Sequence, residues 1–394
     1  MGKTEAITRI AEQFGHEAAV RKGDGVIKNP WDNGISPIDR ARQHLYLLEQ
    51  TYGNGHPGSS EPIENLMKRQ VSGNLLTWII YWKNYPVGMA NLEIGNQGVA
   101  EMCRVVEIPK GTTLDSGVEY RGQLKTSAVT YQRIADALTH PEITKKIWAL
   151  EADLRMAKDI VLPSGKILEA GVKTQHINRA LSPMLIAVPR YEVSPEHGHA
   201  HQEVFLQSRL YFEPEAVDQN EPIYTPRHIN GGVGIAGIVS ATYENAFGFS
   251  PKIVDGQSNE NKTEKICQLE NTGGFHFSTL VVSGDVSKEE IMEKVYEGLN
   301  ASRFLEVVVP NSPGNIEVQK RLYHLGIIPL GVMPGGTFTI NGGKQEIQTT
   351  IHYGTARTHN IRQMVEIELA RDYQGTEIEK ISFALREEWR KKEV

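Results

Sequence analysis

The chain has 394 residues, a formal net charge of −6 and a sequence pI near 6.1. This length exceeds what one ordinary core organises, so we expect two or three domains. The acidic balance excludes the basic surface that nucleic acid or an anionic membrane requires, which favours a small-molecule or protein partner. No apolar run approaches the roughly 18 residues that span a bilayer, and the amino-terminal segment lacks the pattern of a signal peptide.

The chain contains two cysteines, Cys103 and Cys267. One of them lies inside a predicted core strand, so the pair gives no disulfide framework. This usage is typical of a reducing compartment, and we predict a cytoplasmic protein.

The first predicted elements are helices. Residues 4–20 form a short helix and are followed by a connector rich in Gly, Pro and Asn. Ser36 is placed as the N-cap of the next helix, with Pro37 at the first helical position and Asp39 three residues after the cap. A third, shorter helix over residues 61–70 precedes the first strand.

Three successive apolar runs predict an antiparallel meander. They span Leu75–Trp82, Pro86–Ile94 and Val99–Pro109, and short turns separate them. The third run carries Glu101 on one face and Arg104 on the other, which places charge on both sides of a core strand. A strand margin whose charges are solvated or paired with each other is the plain alternative for both residues.

A loop that contains three glycines follows the meander and leads into a helix. The glycines are Gly111, Gly117 and Gly122. A strand, a glycine-containing loop and a helix start can present backbone N–H groups to a phosphate, although such loops are also plain connectors. The helix is predicted to bury one face, formed by Ala128, Tyr131, Ala135 and Leu138.

The remaining elements alternate between strand and helix. We predict a strand over residues 166–174, a helix over 176–185 that is broken at Pro183, and strands over 186–193 and 204–214. The second half then contains a strand, a helix with Ile291, Val295 and Leu299 at helical spacing, a β-branched strand, a further helix, and a strand that ends near Pro334.

This order of elements resembles the GNAT acyltransferase superfamily. PVGMANLEIG and GVAEMCRVVEIP resemble its central strands, and GKILEAGVKTQHINRALSPMLIAVPRY resembles its fifth strand and the helix after it. In the second half, Asn315, Val318, Leu322 and Gly326 fall where the last helix of the family has similar residues. The resemblance covers roughly residues 35–335.

The resemblance implies an α/β (α+β) fold with two GNAT-like units in tandem, each a mixed, mostly antiparallel sheet flanked by helices. The corresponding domains are an N-terminal helix and connector over 1–34, a first GNAT-like domain over 35–215, and a second, shortened domain with a C-terminal helix over 216–394. In such a fold the fourth and fifth strands separate to admit a pantetheine arm.

The implied activity is acyl-CoA-dependent transfer, with acetyl-CoA or another acyl-CoA as cosubstrate, to the amine of a small molecule. The resemblance makes Glu101 the general base, which acts directly or through a water. Tyr191, which follows the helix where the family has its proton-donating tyrosine, is the other candidate catalytic residue. It assigns cosubstrate binding to Val106, Ile108, Gly111, Gly117, Arg121, Gly122 and Asn178. A salt bridge from Glu101 to Arg104 or to another neighbour is the structural alternative for Glu101.

Two departures from the family favour a different class of function. The phosphate-binding motif of the family is absent after Pro109, where only Tyr120-Arg121-Gly122 approaches it. The tyrosine that protonates the thiolate is missing from the helix after Asn178, and Tyr323 in the second half is one residue out of register. The alternative is therefore a non-catalytic binding or assembly protein that keeps the GNAT fold.

The densest set of metal-capable side chains is Glu196-His197-Gly-His199-Ala-His201-Gln-Glu203. Alternate residues of a strand share a face, so the three histidines could converge on one ion, which gives a metal-dependent enzyme as a third hypothesis. A solvated histidine-rich turn is the other interpretation, and we assign no metal ligand.

Two further segments have competing interpretations. Gly232-Val-Gly-Ile-Ala-Gly237 matches the dinucleotide-binding fingerprint by letter, but two prolines precede it, so we interpret it as a loop before a helix. Near the C-terminus, Ile378, Ile381, Leu385 and Trp389 form an apolar stripe that packs on this chain or on a second copy in a homodimer.

Overall fold

A computed structural model divides the chain into two compact units: unit 1 is Met1–Ala152 with Leu210–Phe212, and unit 2 is Asp153–Arg209 with Glu213–Val394. The structure describes residues 3–52, 61–95, 98–122, 124–125, 127–155, 160–161, 167–168, 182–192, 202–211, 217–218, 220–227, 235–256, 263–271, 277–302, 304–340 and 344–356. Both units are mixed α/β with mostly antiparallel strands, which confirms the predicted fold class.

Unit 1 contains helices α1 (Lys3–Arg21), α2 (Pro37–Tyr52), α3 (Ile63–Val71), α4 (Ser127–Thr139) and α5 (Pro141–Thr144). Its strands are β1 (Val26–Lys28), β2 (Leu75–Trp82), β3 (Tyr85–Ile94), β4 (Val99–Glu107), β5 (Thr112–Thr113), β6 (Glu119–Tyr120) and β7 (Ala149–Arg155), of which β7 begins in unit 1.

The sheet of unit 1 has the order β1-β2-β3-β4-β7. The pairs β1–β2, β2–β3 and β3–β4 are antiparallel, and β7 pairs with β4 in parallel. The meander is therefore confirmed. Its first turn is the two-residue hairpin Lys83-Asn84, in which both residues have positive φ (49° and 67°), as the primed hairpin turns require.

Two layers of helices cover the two faces of this sheet. On one face, Ser36 caps α2 as predicted, since Asp39 N–H donates to Ser36 Oγ at 3.2 Å, and α3 packs its Leu66 against Leu75 of β2. On the other face, α4 approaches β2, where Trp78 Nε1 donates to Asp136 at 2.6 Å. The sheet therefore has one face covered by α2 and α3, called the α2/α3 side, and an opposite face called the α1/α4 side.

Unit 2 contains helices α6 (Ile235–Phe247), α7 (Lys288–Ala301) and α8 (Ile316–His324), the last preceded by a 3₁₀ turn over Pro313–Asn315. Its strands are β8 (Ile160–Val161), β9 (Ile167–Leu168), β10 (Ser182–Glu192), β11 (Gln202–Tyr211), β12 (Ile223–Tyr224), β13 (Ile253–Val254), β14 (Ile266–Asn271), β15 (Phe277–Ser283), β16 (Phe304–Pro310), β17 (Ile328–Ile340) and β18 (Lys344–Ala356). The last residues of β11 belong to unit 1.

The main sheet of unit 2 has the order β11-β10-β17-β18-β16-β15-β14. Only β15 and β16 are parallel in it, and α7 connects them. Helix α7 packs on β16 through Gly298, where an added Cβ would lie 2.7 Å from Leu305. Helix α8 packs on β18, where Tyr353 donates to Gln319 Oε1 at 3.1 Å.

Two predicted elements are wrong. The strand that runs parallel to β4 is β7, not the segment after Gly165 that resembles the fifth GNAT strand. Residues Ser182–Leu185, placed at the end of a helix, begin strand β10 instead. Pro183 lacks an N–H, which a strand with an irregular ladder tolerates and a helix interior does not.

The side chain of Asn315 joins three segments of unit 2. It is fully buried, and its Oδ1 accepts from Gly284 N–H at 2.7 Å while its Nδ2 donates to Pro310 O at 2.8 Å and to Ser283 Oγ at 3.1 Å. The amide thereby satisfies backbone groups at the ends of β15 and β16 that would otherwise be buried without partners.

We expect Asn315→Ala to destabilise the protein by about 2–4 kcal/mol, because it leaves a buried N–H and a buried carbonyl without partners. Urea unfolding followed by circular dichroism measures this effect. The exposed Asn220→Ala is the control, with an expected change below about 0.5 kcal/mol. Equal unfolding midpoints for the two variants would contradict the prediction.

Candidate functional site in unit 1

Strand β4 has a short ladder on the edge that faces β7. The described pairs are Val99↔Ala149, Ala100↔Leu150 and Glu101↔Glu151. Strand β4 nevertheless continues to Glu107, and on its other edge it stays paired with β3 as far as Gly88↔Glu107. Among the described pairs, the β7-facing edge of residues 102–107 has no strand partner, and an extended edge of this kind can pair with a chain-like molecule.

A bulge interrupts β4 within this stretch. Met89 pairs with Val106 and Asn91 with Cys103, so β4 advances three residues where β3 advances two. The carbonyl oxygens of Asn91 and Cys103 accept from Nη1 of Arg133 on α4, the latter at 3.2 Å. One guanidinium thus replaces the ladder hydrogen bonds that the bulge removes.

Arg133 is buried, with only 2% of its surface exposed. Burial lowers the pKa of its guanidinium to about 10, while Cys103 and Glu101 act in the opposite direction. Arg133 therefore stays a cation at neutral pH, and Glu101 lies within its electrostatic reach.

Three carboxylates form one cross-strand row on the α2/α3 side. Glu93 of β3 is paired with Glu101 of β4, and Glu101 is paired with Glu151 of β7. At the β3 end of the row, Arg69 of α3 contacts Glu93 at 2.7 Å and Glu61 at 2.8 Å. Glu101, the predicted general base, is the central member.

A second row of polar side chains lies beside the first on the same side. Thr77, Asn91 and Cys103 are paired across β2, β3 and β4, and Gln70 of α3 donates to Thr77 Oγ1 at 3.2 Å. Asn91 is fully buried, and neither atom of its amide has a hydrogen-bond partner. Gln70 Oε1 is also buried and unpartnered. Such atoms are costly unless a ligand or water meets them.

The loop predicted as a phosphate cradle is the β5–β6 hairpin. Gly111, Gly117 and Gly122 all have positive φ (91°, 72° and 73°). The N–H of Gly111 donates to Tyr120 O and that of Gly117 to Leu114 O, both at 2.7 Å. These two N–H groups are therefore used inside the hairpin, whereas Gly122 lies closer to the start of α4.

Arg121, the predicted phosphate ligand, has an exposed side chain that contacts Glu119 at 3.4 Å. Arg121 precedes the start of α4 in the chain, and a helix N-terminus favours anions.

The backbone groups of β4 that were predicted to bind the cosubstrate are partly used in pairing with β3. Val106 is paired with Met89, and Ile108 N–H donates to Val87 O at 3.0 Å, toward β3. Because successive residues of a strand point their N–H groups to opposite edges, Val105 and Glu107 present theirs to the open edge.

Tyr191 and Asn178 belong to unit 2 and not to unit 1. Tyr191 lies in β10 of unit 2, where its backbone is paired with Glu203, and its side chain lies outside the description. Asn178 falls outside the described residues altogether, as do His197, His199 and His201. Among the described residues, no group of three His, Cys, Asp or Glu side chains is placed to hold a metal ion.

Arg133, Asn91 and Glu151 are the site residues that the sequence analysis did not identify. Arg133 had a detectable signal, because it shares a helix face with Val129 and Ala137, and both of these are fully buried. A charged residue in the middle of a buried face indicates a specific partner. Asn91 and Glu151 had no such signal, since their significance depends on strand register.

Gly98 fixes the junction between β4 and β7. Its φ is +74°, its carbonyl accepts from Trp148 N–H at 2.7 Å, and an added Cβ would lie 2.7 Å from Trp148 Cδ1. We expect Gly98→Ala to destabilise the protein by about 2–3 kcal/mol through backbone strain and this contact.

The matched control is Gly117→Ala, which has a similar φ of 72° but no atom within 4 Å of the added Cβ. The loss of unfolding free energy in Gly117→Ala therefore reports the cost of a positive φ alone, which is about 1 kcal/mol. Urea unfolding followed by tryptophan fluorescence measures the difference, and equal losses would contradict the role of the Trp148 contact.

No protein-family model matches the chain, and no curated protein matches it significantly. Solved structures do match: an N-acetyltransferase from Staphylococcus aureus is 11% identical, with a TM-score of 0.29, over 48% of this chain and 99% of the other. An aminoglycoside 6'-N-acetyltransferase from Enterococcus faecium is 10% identical, with a TM-score of 0.29, over 48% of this chain and 98% of the other. These scores are too low to support a conclusion, so the function must be inferred from the strand order and side chains of this chain.

Within the described residues, no helix is both long enough and apolar enough to cross a membrane.

Proposed function

We propose that the chain is an acyl-CoA-dependent N-acyltransferase of the GNAT type, that acetyl-CoA or another acyl-CoA is the cosubstrate, and that the acceptor is a small-molecule amine. The observation that carries the proposal is the open edge of β4 beyond Glu101↔Glu151. An extended thioester arm with two amide groups needs such an edge, because it pairs with backbone as an added strand does.

The order of elements in unit 1 supports the same function. Helices α2 and α3, the β2–β3–β4 meander, a loop, helix α4 and a parallel strand follow one another as the GNAT resemblance implies. In the proposal, Val105 and Glu107 supply the backbone pairing for the thioester arm, while Val106 and Ile108 hold this segment on β3. Arg121, Gly122 and the first turn of α4 meet the pyrophosphate, and the hairpin that contains Gly111 and Gly117 shapes the loop.

Glu101 is proposed as the general base. It removes a proton from the acceptor ammonium, directly or through a water, and the free amine then attacks the thioester carbonyl carbon. The carbon–sulfur bond breaks, and the thiolate leaves with a proton from a donor. That Tyr191 is this donor stays a prediction from the sequence, as does the contribution of Asn178.

We further propose that unit 2 is a degenerate second copy. Each unit contains an antiparallel strand pair followed along the chain by a helix and a parallel strand. These elements are β3, β4, α4 and β7 in unit 1, where β5, β6 and α5 intervene, and β14, β15, α7 and β16 in unit 2. A repeated arrangement of this kind is expected from an internal duplication.

The start of α7 supports the loss of cosubstrate binding by unit 2. The Ser287 side chain accepts from Glu290 N–H, and Glu290 accepts from Ser287 N–H at 2.9 Å. Hydrogen bonds from Lys265 and Ser287 lower the pKa of Glu290 to about 2, so the helix start already holds a carboxylate at neutral pH. A second anion would be repelled there.

The rival class is a binding or assembly protein that keeps the fold without catalysis. The hydrogen-bonded N–H groups of Gly111 and Gly117 favour it, because they leave fewer donors for a phosphate. Thiol release from acetyl-CoA in the presence of primary amines, followed with a thiol reagent, tests the two classes. Release that requires both substrates supports the transferase; no release with any amine, together with no calorimetric binding of acetyl-CoA, overturns it.

A further inference from the structure

The bulge in β4 determines which backbone groups of this strand face its open edge. Ile108 N–H donates to Val87 O on β3, so Val106 also points its N–H toward β3, while Val105 and Glu107 point theirs away from it. The extra residue sets this alternation, because β4 advances three residues where β3 advances two. Without the bulge the register would shift by one residue, and the N–H groups of Val106 and Ile108 would face the open edge instead.

Arg133 holds this bulge, and it does so under conditions that a regular strand pair would avoid. Its Nη1 donates to Asn91 O on β3 and to Cys103 O on β4. The side chain is buried, burial lowers the pKa of the guanidinium to about 10, and its Nε has no hydrogen-bond partner among the described residues. A regular ladder would need neither a buried cation nor an unused N–H group. Local departures of this kind are expected where function requires them.

We propose that Arg133 is a positioning residue for the cosubstrate, and that by holding the bulge it selects the register in which Val105 and Glu107 face the open edge. The inference rests on the proposed function, in which these two residues pair with the thioester arm. Arg133 itself acts through the backbone of β4 and needs no contact with the ligand. Its loss should therefore weaken cosubstrate binding and leave the chemical step nearly unchanged.

Steady-state kinetics separate these two effects in Arg133→Met and Arg133→Lys. With a primary amine that supports thiol release in the parent, Arg133→Met should raise KM for acetyl-CoA about tenfold, the factor that one or two neutral hydrogen bonds give. Its kcat should stay within about threefold of the parent. Lysine keeps the positive charge and N–H donors, so Arg133→Lys should return KM to within about threefold of the parent.

The matched control is Asn315→Ala in unit 2, which also removes buried hydrogen bonds to backbone groups. A purely structural loss lowers the fraction of folded enzyme, which reduces the apparent kcat and leaves KM unchanged. We therefore expect Asn315→Ala to keep the parental KM for acetyl-CoA. Circular dichroism under the assay conditions verifies that each variant is folded.

Amide hydrogen exchange, resolved to single residues, gives a second readout that does not depend on activity. In the parent, the N–H groups of Val105 and Glu107 should exchange about tenfold or more faster than those of Val106 and Ile108. Arg133→Met should lose or reverse this alternation, because the register is no longer held. Arg133→Lys and Asn315→Ala should both retain it.

The outcomes distinguish this inference from the proposed function. A parent that turns over acetyl-CoA, with an Arg133→Met variant that has the parental KM or the parental exchange pattern, would overturn the inference alone. A parent that neither binds acetyl-CoA nor releases thiol, with the exchange pattern altered in Arg133→Met, would remove the proposed function and leave Arg133 as the residue that sets the register of β4.

Discussion

Glu101→Gln should lower kcat for acyl transfer by about 10²–10⁴-fold, the range that a positioned general base contributes. The amide has the shape of the carboxylate but takes up no proton from the acceptor ammonium. Because only the chemical step depends on this proton, KM for acyl-CoA should change little. Steady-state kinetics with the accepted amine measure both parameters.

The pH dependence separates this role from a structural one. A primary ammonium has an ordinary pKa of about 10.4, and above that pH the acceptor needs no general base. The ratio of the parental kcat to the kcat of Glu101→Gln should therefore fall as the pH rises from 7 toward 10.

Urea unfolding verifies that Glu101→Gln is folded under the conditions of the kinetic assay. Glu142→Gln on α5, which removes an exposed carboxylate that contacts Lys145 at 3.6 Å, serves as the control with parental kinetics. A Glu101→Gln enzyme with kcat within twofold of the parent would exclude Glu101 as the base.

Arg133→Met should lower the free energy of unfolding by about 2–4 kcal/mol. The substitution leaves the buried carbonyls of Asn91 and Cys103 without their donor at the bulge of β4. Because methionine has nearly the same length as arginine, the lost free energy of unfolding comes mainly from the missing hydrogen bonds and charge and less from a change in side-chain volume. The midpoint of urea unfolding, at an unchanged m-value, measures it.

Tryptophan fluorescence is a suitable signal because Trp31, Trp78, Trp82 and Trp148 all lie in unit 1. Arg121→Met provides the comparison, since that side chain is 75% exposed and its ion pair with Glu119 contributes little. If both arginine variants unfold at the same urea concentration, the guanidinium of Arg133 is not what holds the bulge.

Local signals in the sequence predicted much of unit 1 correctly. The run Leu75–Trp82 coincides with β2, and the Ser36 cap and the buried face of α4 have their predicted places. Each of these features depends on residues within a few positions of one another. Periodicity and capping preferences therefore suffice to identify them.

The parallel partner of β4 was not predictable in the same way. No strand is predicted over Ala149–Arg155, which forms β7, whereas a later segment resembles the fifth strand of the family. A parallel strand returns through a long connection, so its identity depends on which distant segment packs beside β4. Local pattern does not contain that information.

The sequence by itself thus determined the class of fold, the order of helices and strands around β4, and Glu101 as the charged residue in a core strand. Only the tertiary structure decided that Glu93, Glu101 and Glu151 share a row, that Arg133 spans the bulge, and that Asn91 is buried without a partner. The reason is register: a shift of one residue moves every side chain to the opposite face, and register is fixed only when the strands have paired.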